Sequence, residues 1–235
     1  MILVLLPVIG AAGIILGTTM YGADAPPKMK LLSIYNAYTQ FTYLVLIYAF
    51  IATFCNDFTN GSYSFMKQIG YGIKENIRTK AIILFTVVVV FIDLFFLITN
   101  LILQSRDYKY LCTVIATVDF CVVFILLLAM LLSLMIKKTL PATLTAYGLF
   151  MVMNVLNYIC YGIFNPADGN SISSVNLQLL AGLHTGHYTL GNLKMTSETV
   201  SYLLTIAVPA IWSALLLLLV VIFVKKIEKR AYKGA

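Results

Sequence analysis

The chain has 235 residues, of which 61% are hydrophobic and 11% charged, with a mean hydropathy of +0.94. A soluble domain carries roughly 25% charged residues, so this composition excludes a water-covered globule and makes lipid the solvent. The formal charge of +7 does not point to nucleic acid, because the basic residues lie between apolar runs instead of in one patch.

Six apolar runs, each long enough to span a bilayer at about 20 residues, follow one another along the chain at 2–20, 34–55, 81–104, 110–136, 142–164 and 202–224. Transmembrane strands alternate in polarity, and a run such as TVVVVFIDLFFLI does not. Hydrocarbon also demands an internal partner for every backbone amide. The expected fold is therefore all-α, one six-helix membrane domain over 1–235.

After the first run, Ala23-Asp24-Ala25 resembles a signal-peptide cleavage site, but the run lacks the basic leader that a signal peptide needs and is read as a membrane helix. Gly10, Gly13 and Gly17 include a G-x-x-x-G spacing that allows a second helix to come close. The four cysteines, Cys55, Cys112, Cys121 and Cys160, fall in or beside apolar runs with no C-x-x-C pair, and read as small packing residues.

The basic residues set the orientation. Lys67, Lys74, Arg78, Lys80, Lys137, Lys138, Lys225, Lys226, Lys229, Arg230 and Lys233 share one side, against Lys28, Lys30, Arg106, Lys109 and Lys194 on the other. Both termini are expected in the cytoplasm.

Two connections exceed what a hairpin requires. The cytoplasmic one, 56–80, places Phe65, Met66, Ile69 and Ile73 at helical spacing, with Lys67, Gln68, Lys74 and Glu75 opposite. This predicts a short amphipathic helix at the membrane surface. The outer one, about 165–201, has Val175, Leu179, Leu180 and Leu183 at helical spacing and predicts a short helix re-entering the outer leaflet before the sixth span starts near Thr196 or Ser197.

No G-x-x-x-x-G-K-[ST] loop is present, so the chain has no nucleotide site of that kind. His184 and His187, without a third ligand nearby, read as solvated loop residues and not as a metal site. Two acids lie inside spans: Asp93 in the third and Asp119 in the fourth, at similar depth and with no Lys or Arg at that level. Such residues are costly in a bilayer. They read either as a proton-sharing pair that titrates during transport or as hydrogen-bonded packing residues, with Thr113, Thr117 and Asn100 as partners. A polar and aromatic stripe marks the fifth span (Tyr147, Met151, Asn154, Tyr158, Tyr161), matched in the second by Tyr35, Tyr38 and Thr42.

The cytoplasmic connection resembles that of ABC-2-type permeases, the membrane subunits of type-2 ABC exporters. The matching positions are Asp57, Gly61 with Ser62, the amphipathic 63–69 segment, Lys74, and Lys80 at the entrance of the third helix. Asp57 stands where Glu is commoner and Lys74 where Arg is usual. The six-helix count, the cytoplasmic termini and the long outer connection extend the likeness over nearly the whole chain. The resemblance implies that Asp57, Gly61, Ser62, Phe65, Met66, Ile69, Lys74 and Lys80 form the surface that receives an ATPase. It also implies that the second and fifth helices wall the transport path, where Met and Tyr rows suit an amphipathic cargo; ordinary helix packing is the plainer account of that stripe. The implied assembly pairs this chain with a second permease chain and two ABC ATPase subunits, which carry the ATP and Mg. The chain itself is then no enzyme, and the complex exports a peptide or antimicrobial (a drug or lipid is the alternative) across a bacterial plasma membrane. A proton-coupled transporter built on Asp93 and Asp119, and a structural or sensor protein, are the rival classes.

Overall fold

The computed structural model describes residues 2–20, 27–60, 62, 65, 68, 72–104, 106, 108–164, 188–190, 193–195 and 198–233. Helices cover each of the six apolar runs: α1 (Ile2–Met20), α2 (Pro27–Thr59), α3 (Ile73–Ile102), α4 (Tyr108–Ile136), α5 (Thr139–Phe164) and α6 (Glu198–Lys233). Four carry stretches long and apolar enough to cross a membrane: Phe41–Thr59, Lys74–Ile102, Tyr108–Ile136 and Ala210–Ile227. In α1 and α5 the described apolar stretches are shorter, Leu6–Ile15 and Thr139–Val152. The chain is a membrane protein of helical architecture. Among the described residues, the connection between α5 and α6 departs from helix: Tyr188–Leu190 (β1) pairs antiparallel with Leu193–Met195 (β2). The re-entrant helix expected around Val175 to Leu183, and the two histidines, lie outside the described residues.

α4 is the centre of the bundle. It packs against α2, α3, α5 and α6, and 72% of its apolar stretch is buried, against 17% for the stretches of α3 and α6. α6 is tied to α4 by Ser213, whose hydroxyl donates to the Phe120 carbonyl at 3.3 Å.

α1 lies against α2 and α3, and its glycines explain how. A Cβ at Gly10 would sit 2.7 Å from the Phe95 ring, and one at Gly13 would meet Tyr38 at 3.4 Å. The ring of Tyr38 stacks on Phe95 with centroids 4.2 Å apart and meets Phe96 edge-on at 5.7 Å. Three helices thus converge on one aromatic cluster because two glycines leave room for it.

Several helices extend past their apolar runs, α2 from Pro27 and α6 to Lys233 among them, and two such extensions reshape the 56–80 connection. α2 runs on to Thr59 and α3 starts at Ile73, so the connection of 56–80 shrinks to the residues between them. Asp57 belongs to the last turn of α2, and Lys74 and Lys80 to the first turns of α3. The apolar run ends where hydrocarbon ends, whereas the helix continues as long as its polar residues find partners. At the start of α3, Glu75 supplies an acid in the first turn, where the helix dipole favours it. Its carboxylate folds back over the extended N-cap residue Gly72, into the space that a side chain there would fill.

Candidate functional site

Where α2 ends and α3 begins, three polar side chains from distant positions meet. The Lys80 ammonium donates to both oxygens of Asp57, at 2.5 and 2.6 Å, and Asn76 Nδ2 donates to Oδ2 at 2.6 Å. Asp57 leaves α2 on its final turn, and Asn76 and Lys80, four residues apart, share one face of α3. The Asp57 side chain is 14% exposed and that of Lys80 30%, so this ion pair is shielded more than a surface pair and its charge-assisted bonds count for more. The node closes the loop between the two helices like a buckle.

Beneath it, Phe54, Phe58, Ile77, Met130 and Leu134 line a small cleft with Asp57 and Asn76, which brings the end of α4 to the same place. Lys137, in the turn after α4, holds its ammonium 5.8 Å from the centre of the Phe58 ring, within cation–π range. That turn is tight: Lys137 has φ 58°, the left-handed geometry that commonly ends a helix.

Of the residues expected at this site, Asp57 and Lys80 are in direct contact. Ser62 and Phe65 are helical and exposed, as is Gln68, with Phe65 62% exposed. Lys74 is exposed on the first turn of α3. Gly61, Met66 and Ile69 lie outside the described residues. Asn76 was not singled out from the sequence; its only signal is the i, i+4 spacing to Lys80, which has meaning once Lys80 is known to lie inside a helix.

The expected stripe divides. Tyr38 and Thr42 are buried, at 1% and 0% exposure, within the packing of this chain. Tyr147 is half-buried and donates its hydroxyl to the Leu44 carbonyl at 2.9 Å, bridging α5 to α2. Met151 is 58% exposed. The side chains of Tyr35, Asn154, Tyr158 and Tyr161 lie outside the described set.

The intramembrane acids face each other across α3 and α4, with Asp93 and Asp119 within hydrogen-bonding reach. Oδ1 of each is buried without a partner. The threonines expected to serve them are engaged elsewhere: Thr113 donates to the Lys109 carbonyl at 2.9 Å and Thr117 to the Thr113 carbonyl at 2.7 Å. A helical threonine reaches its own i−4 carbonyl more readily than a neighbouring helix. Asn100 is 3% exposed.

Comparison with protein-family models, with curated proteins and with solved structures gives no match for this chain.

Proposed function

We propose that this chain is the permease subunit of an ATP-driven exporter, a six-span member resembling ABC-2-type permeases, and that the α2–α3 elbow is where it receives work. The observation that carries this reading is the Asp57–Asn76–Lys80 node. A force applied to the exposed segment containing Ser62 and Phe65 cannot be absorbed by the loop's own slack, because the buckle fixes the ends of α2 and α3 to each other. It reaches α2 and α3 together, and through the shared cleft it reaches α4. The soluble motor is a pair of ATPase subunits holding ATP and Mg, and a second copy of this chain or a related permease completes the path. The cargo is an amphipathic molecule, of which a peptide or antimicrobial fits the Tyr and Met stripe best and a drug or lipid comes next. Both termini lie in the cytoplasm and the complex sits in the plasma membrane.

The test is to purify the tagged chain from its native membrane in mild detergent and assay the preparation for ATP hydrolysis. The reading predicts a co-purifying ATPase, and ATP-driven export that Asp57→Ala lowers without loss of the folded chain. A chain that purifies without any nucleotide-hydrolysing subunit contradicts it.

A second reading has one observation in its favour, the facing carboxyl groups of Asp93 and Asp119. Two carboxyls in contact can hold one proton between them, as a proton-coupled transporter requires. Asp93→Asn and Asp119→Asn separate the two readings: transport retained in both variants supports the ATP-driven reading, and transport lost in both supports the proton-coupled one.

A further inference from the structure

The first turns of α3 combine two properties that belong together in a lipid-binding site. Lys74 and Arg78 are exposed and stand one turn apart, and Ile82, one turn further, is 54% exposed on the same stripe. Residues at i, i+4 and i+8 lie one above the other along a helix. The exposed apolar face continues through Ile83, Val87 and Val90. Lys74 and Arg78 precede the apolar run that begins at 81, about 10 and 5 Å along the helix from its start, and the apolar face runs on from them through Ile82.

The acids nearby do not neutralise this pair. Asp57 is engaged by Lys80 and Asn76, and Glu75 is turned back over Gly72 at the start of the helix. The charge on Lys74 and Arg78 is left facing outward. Arg supplies a planar fork suited to phosphate oxygens, and Lys a point charge.

We propose that Lys74 and Arg78 bind the headgroup of an anionic phospholipid whose acyl chains run down α3 along Ile82. Charge complementarity selects this occupant over a zwitterionic lipid, and the mostly apolar face below the cations, broken at Thr86 alone along the stripe through Val90, selects it over an acidic soluble protein. Such a lipid would sit on α3 next to the elbow, on the face turned away from the Asp57 node. A juxtamembrane cation near an anionic bilayer contributes enough binding free energy for about a fivefold preference per residue.

The test uses the full chain in vesicles. Trp212 is the sole tryptophan, so Trp212→Phe combined with Ile82→Trp places a single fluorophore on the proposed acyl-chain track. Quenching by brominated phosphatidylglycerol is compared with quenching by brominated phosphatidylcholine. The expected result is a preference for the anionic lipid that falls about fivefold in Lys74→Gln or Arg78→Gln and about 25-fold in the double variant. The charge-preserving pair Lys74→Arg and Arg78→Lys is expected to keep it. Equal quenching by the two lipids would overturn the proposal, and so would a preference unaffected by the double substitution. Absence of quenching by either lipid would show that protein covers this face, a second permease copy or a motor subunit, and would overturn it as well.

Discussion

Asp57 accepts three hydrogen bonds from two residues of another helix, so removing its carboxylate does more than delete one contact. In Asp57→Ala, Lys80 and Asn76 lose their acceptor together, and the α2–α3 loop loses its closure. We expect the apparent unfolding free energy in detergent to fall by about 1–2 kcal/mol, the cost of leaving partly buried donors without a partner. Lys80→Met should cost less, since Asn76 still donates to the acid. A double-mutant cycle between Asp57→Ala and Lys80→Met should return a coupling of about 1 kcal/mol; a coupling near zero would mean that the pair does not hold the elbow. The resemblance picks out Asp57 and Lys80 separately, but not their contact. Nothing in the spacing of 57 and 80 brings them together until helices are known to continue past the membrane boundary on both sides of the loop.

At the scale of elements, the bundle depends on where small residues permit contact. Gly10 and Gly148 make opposite predictions. A side chain at Gly10 runs into the Phe95 ring, so Gly10→Val should lower thermal stability by about 1–3 kcal/mol, the usual cost of overpacking. At Gly148 an added Cβ meets nothing within 4 Å, so Gly148→Ala should be neutral or stabilise by up to about 1 kcal/mol through helix propensity. Thermal denaturation of both variants in one detergent measures the difference. Tyr147→Phe removes the hydroxyl that bridges α5 to α2 and should cost about 0.6 kcal/mol, the usual worth of a hydrogen bond between membrane helices. The positions of all six helices were legible because a run of apolar residues without alternation has one solution in lipid. Their ends were not. Hydropathy marks the edge of hydrocarbon, while a helix can continue past it, as α2 and α3 do on either side of the elbow. Side-chain choices were equally hidden: Tyr38 reads as either a path-lining or a packing aromatic, and only the structure shows it buried against Phe95 beside the gap left by Gly13.

At the scale of the whole molecule, burial is uneven among the helices. α4 is enclosed by its neighbours, while α3 and α6 turn most of their apolar stretches outward, to lipid or to another chain. The elbow lies where the ends of α2, α3 and α4 converge, so a push there is delivered to the helix at the centre and to one at the edge. On the exporter reading this is the geometry of an input. The claim is tested most directly by replacing Phe65, helical and 62% exposed, with a photo-crosslinking residue and irradiating intact cells. The account predicts a covalent adduct with a nucleotide-hydrolysing subunit, formed from the cytoplasmic side. Recovery of the chain alone, or labelling of the same position by a reagent that cannot enter the cell, would contradict it.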